Sequence, residues 1–175
     1  KFGGLVDIYE RDNAKAHLNL MMSAPTGSIT EQAFIPPAGA VLRMPYPMQL
    51  GSGTWDLKPG FTYLGQRGDF SYGVQLLGTV RLGENNQNYT LGNDITANIW
   101  GALRVTDSLS SSLRLSGTSW GDIDGADARI AGPVPTANPN LRGGERIDLF
   151  YGINYLFQGG ALSGHRLAVE AGTPL

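Results

Sequence analysis

Cysteine is absent from the 175 residues, which rules out a disulfide framework and any thiolate metal centre. No uncharged apolar run approaches the roughly 18 residues that a transmembrane helix needs, so helical membrane crossing is excluded. Charge is scarce as well. Acidic and basic side chains make up 16% of the chain, well below the usual quarter, and nearly cancel at a net −2. Without a basic excess there is no electrostatic footprint for nucleic acid or an anionic membrane surface, and no nucleic-acid partner is expected. Helix signals are nearly missing, with only short stretches inside loops able to coil. Glycine stands out on the other side: its 25 copies are about twice the ordinary share. Crowded backbones with one face in hydrocarbon would use such a composition.

The strongest pattern is Asp69 to Leu82. One register holds Phe70, Tyr72, Val74, Leu76, Gly78, Val80 and Leu82, and the other Ser71, Gly73, Gln75, Leu77, Thr79 and Arg81. A strand sends successive side chains to opposite faces, so this one has an oily side and a polar side. Its length exceeds the usual five or six residues and suits a tilted strand crossing a bilayer. The two aromatics at its start match a membrane-interface girdle.

The same alternation predicts seven more strands. They cover Leu5–Glu10, His17–Ser23, Thr54–Leu64, Tyr89–Val105, Leu109–Trp120, Arg146–Phe157 and Arg166–Gly172. Outward positions include Leu18, Leu20, Trp55, Phe61, Ile95, Ile99, Leu113, Leu115, Ile147, Leu149, Tyr151, Ile153, Leu167 and Val169. Pro59 lacks a backbone donor, and a bulge is predicted there. Connections alternate between short and long, with long loops over 24–53 and 121–145. Short periplasmic turns opposite longer extracellular loops give outer-membrane barrels that rhythm. The fold class expected is therefore all-β, an antiparallel up-and-down transmembrane β-barrel with about eight strands in residues 1–175, read as one domain. The opening Lys1-Phe2-Gly3-Gly4 and the closing Ala171-Gly172-Thr173-Pro174-Leu175 lead us to expect an internal piece of a larger barrel, with neither signal peptide nor terminal aromatic strand in this stretch.

The inward register carries Asp56, Lys58, Arg81, Asp94, Arg104, Arg114, Arg146, Asp148, Arg166 and Glu170. An Arg or Lys facing lipid at midplane costs about 2–4 kcal/mol, so these side chains are expected to line a lumen. Eight strands alone enclose an interior that side chains can fill with Arg–carboxylate pairs, whereas a larger barrel leaves a water channel. Both interiors remain open at this point.

Other motifs are weaker. Met21, Met22, Met44 and Met48 invite a soft-metal site, since thioethers bind Cu(I), but a loop packing its apolar residues into the barrel mouth is the preferred account, and no metal is expected. Asp122-Ile123-Asp124-Gly125-Ala126-Asp127 lacks the twelve-residue spacing and closing Glu of a calcium loop and reads as a solvated tip. Asn88-Tyr89-Thr90 matches a glycosylation sequon that means little in a bacterial barrel. His17 and His165 lie beside turns with no nucleophile motif such as G-x-S-x-G, so no enzyme and no cofactor is expected.

The stretch Met44-Pro45-Tyr46-Pro47-Met48-Gln49-Leu50-Gly51-Ser52-Gly53-Thr54-Trp55-Asp56 resembles the MetA pathway of phenol degradation family. Ser23-Ala24-Pro25-Thr26-Gly27, Pro59-Gly60-Phe61-Thr62-Tyr63, Ser119-Trp120-Gly121, Asp124-Gly125-Ala126-Asp127 and Leu141-Arg142-Gly143-Gly144 carry the similarity across nearly the whole chain. The resemblance implies a transporter-like barrel in a bacterial outer membrane, with no catalytic motif. The leading functional expectation is a channel or transporter passing small solutes through a polar lumen, with Arg81, Arg104, Arg114, Asp94, Asp148 and Glu170 setting selectivity and loop 25–53 as its lid. Its partners would be the bilayer and the solute. A structural barrel that anchors a partner protein, or pairs with its own copies, is the first alternative. A soluble lipocalin-like carrier, with the oily face inside, is the second.

Overall fold

Period-two alternation over ten or more residues leaves the backbone one arrangement that serves both faces, an extended ladder with each neighbour antiparallel to the last. A computed structural model describes residues 1–175, the Pro37 side chain excepted. In chain order the strands are β1 (Phe2–Arg11), β2 (Ala14–Ser23), β3 (Gln32–Ile35), β4 (Ala40–Arg43), β5 (Trp55–Arg67), β6 (Phe70–Leu82), β7 (Tyr89–Thr90), β8 (Asp94–Arg104), β9 (Leu109–Trp120), β10 (Asp124–Gly125), β11 (Gly144–Leu156) and β12 (Arg166–Pro174). Eight of them form one antiparallel sheet in the order β1-β2-β5-β6-β8-β9-β11-β12. Each sheet strand therefore pairs with the next long strand in sequence. Two small pairs lie in the connections: β3 with β4 is a hairpin, and β7 with β10 joins two different connections.

The fold is all-β, as expected, and every predicted strand has a counterpart. Leu109–Trp120 has the predicted bounds, and most others extend by a few residues. Tyr89–Val105 differs. Tyr89 and Thr90 leave the sheet to pair with Gly125 and Asp124, and the sheet strand begins at Asp94. Tyr89 and Leu91 share the odd-numbered register of Ile95, but the polar Asn93 interrupts it, and residues 91–93 lie outside both strands.

The bulge predicted at Pro59 is absent. Pairing of β5 with β6 lapses between Leu57↔Val80 and Gly60↔Leu77 and resumes in the same register. Opposite Pro59 stands Gly78, and a Cβ there would lie 3.4 Å from the proline ring. The ladder thus absorbs the missing donor as a gap, with room for the ring. The sheet's register shift falls in β1 instead, between Asp7 and Tyr9.

The two faces differ in exposure, and in the opposite sense to a water-soluble sheet. Ile99 and Leu113 on the apolar face are each 55% exposed, whereas Thr62 and Asp56 on the polar face are 5% and 4% exposed. Aromatic rings border the apolar face at both ends. Tyr63, Tyr72 and Phe70 cluster beside the short turns, with ring centroids 5.8–6.2 Å apart, and Tyr155 meets Phe157 edge-on at 5.0 Å. At the other end Phe2 and Trp55 meet edge-on at 6.4 Å.

Large rings also explain part of the glycine excess. Tyr72 lies across Gly65, Trp100 across Gly73 and Phe150 across Gly172, so a Cβ at any of the three would collide with a ring atom. A ring laid over a neighbouring glycine covers backbone that no side chain shields, the device called aromatic rescue.

Candidate functional site

Three long connections, residues 24–54, 83–93 and 121–143, leave the same end of the sheet and fold together into a cap. The molecule's one cluster of buried hydrophobic residues among those described lies there: Tyr46, Tyr89, Ile123, Ile130 and Ala137, with Leu91 against them. Tyr46 and Tyr89 meet edge to face, centroids 5.0 Å apart at 74°. Burial pushes the Tyr46 phenol above its ordinary pKa, although the Asp127 amide donates a hydrogen bond to that oxygen at 3.2 Å.

Polar contacts tie the three connections to each other. Asn85 donates through Nδ2 to the Ser52 carbonyl at 3.0 Å, and its Oδ1 accepts from the Gln87 amide at 3.0 Å. Asp122 accepts from the amides of Arg142 and Gly143 at 2.9 and 2.5 Å. Gly53 sits at φ +71°, with Ile29 Cδ1 and Asn85 Cβ 2.6 and 2.9 Å from where a Cβ would be, so only glycine fits this crossing. Arg43, at the end of β4, faces Asp127 of the last connection at 3.4 Å, and both side chains are 2–3% exposed. Arg129 also approaches Asp127, at 3.2 Å.

Beneath the cap the polar face begins with Asp56. Its carboxylate accepts from Thr54 Oγ1 at 2.8 Å and Ser52 Oγ at 3.1 Å, and pairs with Arg81 at 2.6 Å. Arg81 reaches on to Asp94 at 3.7 Å. Lys58 donates to Thr79 Oγ1 at 2.8 Å. Farther down, the Arg114 guanidinium lies 3.8 Å over the Phe150 ring, pairs with Glu170 and donates to Asn98 Oδ1 at 3.4 Å. Arg146 pairs with Asp148 on the same strand at 2.7 Å. Arg104 pairs with Asp69 near the short turns, and Arg166 joins it in lining a pocket of about 400 Å³ there.

The ten residues expected on one face thus share it by strand parity and register. Seven of them, Asp56, Arg81, Asp94, Arg114, Glu170, Arg146 and Asp148, are paired among themselves. Arg166 and Glu170 lie on edge strand β12, which is exposed along its length. Loop 25–53 is one part of the cap rather than a separate lid.

Ser52, Asn85 and Arg43 escaped sequence reasoning. They sit in segments without period, and nothing in their spacing tells a buried partner from a solvated turn. Asp122 and Asp127, read as a solvated tip, are instead anchors for neighbouring amides and arginines. Met48 is exposed and Gln49 binds the Met44 carbonyl at 2.7 Å, which fastens the loop without involving sulfur. Among the described residues no group of three or more His, Asp or Glu has metal-holding geometry.

Comparison with protein-family models gives no match, and comparison with curated proteins gives none either.

Proposed function

We propose that these strands form part of a β-barrel in a bacterial outer membrane and that the barrel passes small polar solutes along its charged and hydroxyl-lined face. The observation that carries this reading is the inverted exposure of the sheet: aliphatic side chains such as Ile99 and Leu113 stand exposed, while Asp56, Thr62 and Thr79 are buried. Water would oppose that arrangement along the whole sheet, and hydrocarbon would favour it. From Tyr72 to Leu82, β6 rises about 33 Å, and a tilt of about 40° reduces this to about 25 Å, the height of an outer-membrane apolar band. The exposed apolar face counts against a soluble carrier.

Strands β1 and β12 close the sheet order at its two ends without pairing to each other. Unpaired backbone groups in hydrocarbon cost several kcal/mol each, so a membrane setting needs further strands at both edges. We therefore assign the sheet to a barrel of more than eight strands. The resemblance to the MetA pathway of phenol degradation family agrees with that architecture and carries no substrate to this chain.

Reconstitution of the intact protein in planar bilayers tests the function. Stepwise conductance is the expected result. Folded, membrane-inserted protein that conducts nothing would remove the channel reading. It would leave the structural barrel, which the folded cap over one end favours as a second reading. The membrane face has its own test. Ile99→Arg should cost about 2–4 kcal/mol and depress insertion, while Asn98→Arg, one residue away on the other face, should insert normally. Equal insertion of the two variants would overturn the assignment of faces.

A further inference from the structure

The charges on the polar face largely cancel where they stand. Arg81 lies between Asp56 and Asp94, Arg114 meets Glu170, Arg146 meets Asp148, and Arg104 meets Asp69. Lys58 donates to a hydroxyl, and Arg166 is the one further cation of the set. Between the Arg81 cluster and the Arg114 pair runs a row with no charge across four strands. Thr62 stands opposite Gln75, Gln75 opposite Asn98, and Asn98 opposite Ser116. A second neutral pair, Thr96 with Thr118, joins hydroxyls at 3.1 Å.

At about 4.8 Å between strands, the four-residue row spans about 14 Å. Each of its hydroxyls and amides offers both a donor and an acceptor. Two bonds occupy part of that capacity: Gln75 Nε2 donates to Thr62 Oγ1 at 3.2 Å, and Arg114 Nη1 donates to Asn98 Oδ1 at 3.4 Å. In the next row toward the short turns, Trp100 lies across Gly73 and places ring surface beside the hydroxyls, while the Phe150 ring across Gly172 is covered by the Arg114 guanidinium.

We propose that this wall selects uncharged, polyhydroxylated small solutes and discriminates little between ions of either sign. The inference rests on the channel reading above and narrows its substrate class. Paired charges present little net field to a passing ion, so neither sign gains entry energy in return for shed hydration. A polyol instead exchanges its water partners one by one for a row of neutral donors and acceptors, with aromatic surface for its C–H edges. On this reading Arg81, Arg104, Arg114, Asp94, Asp148 and Glu170, expected to set selectivity, take a supporting role instead, each offsetting the charge of its partner.

The intact protein in planar bilayers, under a tenfold KCl gradient, supplies the first measurement. A reversal potential near zero is expected, with potassium and chloride permeabilities within about twofold of each other. Swelling of liposomes carrying the protein supplies the second. Neutral hexitols should enter several-fold faster than gluconate and protonated glucosamine of similar size. Glu170→Gln frees Arg114 and should move the reversal potential toward anion preference, and Arg114→Gln should move it the opposite way. Strong ion selectivity in the unaltered protein, or hexitol entry no faster than both charged probes, overturns the proposal. Both measurements need only the unaltered protein, so they decide the matter even where a variant fails to insert. Absence of both conductance and swelling would instead count against the channel itself.

Discussion

Replacing Tyr89 with alanine should unfold the loop cap while the eight-stranded sheet keeps its structure. Tyr89 is wholly buried, at 0% exposure, and its ring stands edge-on to Tyr46 at the centre of the cap cluster with Ile123, Ile130 and Ala137. Removing a large aromatic side chain from a packed core costs about 3–5 kcal/mol. That cluster is small, so the loss is a large fraction of what holds the cap. The sheet has no share in the damage, because its strands are joined by their own ladders. Opening would therefore be local. Tyr89→Phe is the informative companion. The Tyr89 hydroxyl has no hydrogen-bond partner, so keeping the ring and dropping the oxygen should cost little. Limited proteolysis reads the result: residues 24–54 and 121–143 should become rapidly cleavable in Tyr89→Ala and stay resistant in Tyr89→Phe. Unchanged resistance in the alanine variant would show that the cap does not depend on this core. If the cap obstructs the channel, single-channel conductance should rise in the same variant.

Asp127→Ala should damage the cap about as severely, by a different route. Arg43 and Asp127 are both almost fully buried, and the arginine's Nε and Nη1 have no hydrogen-bond partner apart from the ion pair itself. Truncating the carboxylate leaves a buried guanidinium without compensation, a loss of about 3–5 kcal/mol for pairs of this kind. It also removes the acceptor for the Arg129 amide at 2.9 Å, which holds the local turn. Replacing both partners, Arg43→Met with Asp127→Ala, should restore much of the stability, since the charge that had been stranded is gone. Amide exchange over Gln32–Arg43 and around Ile130 measures this. Protection there should fall steeply in Asp127→Ala and return in large part in the double variant. Additive losses in the double variant would show that the pair is not coupled and that Asp127 acts through its turn alone.

The contrast between these two sites and the sheet shows where sequence reading succeeds. Phe70–Leu82, Leu109–Trp120 and Gly144–Leu156 were legible because a strand's faces alternate strictly, so each residue announces its side without reference to any other part of the chain. The same parity assigned Arg114 and Glu170 to one face although they lie 56 positions apart. What parity does not contain is partnership. Arg114 meeting Glu170 across β11, and Arg81 choosing Asp56 and Asp94, depend on strand order and register. Pro59 shows the limit within one strand. Its missing donor was plain in the sequence, but whether the ladder bulges or merely skips depended on Gly78 standing opposite to make room.

Composition and alternation by themselves determined that the chain is all-β, how many long strands it has, which side chains share a face and where two of the three long connections fall. Only the tertiary structure decided that those connections enclose a core around Tyr89, that Arg43 and Asp127 are buried together, and that most charges on the polar face are cancelled by neighbours. Side-chain parity is a local property of extended backbone and is written in adjacent residues. Burial in irregular loops and the pairing of distant charges follow from how far-apart segments meet in space, which no spacing along the chain records.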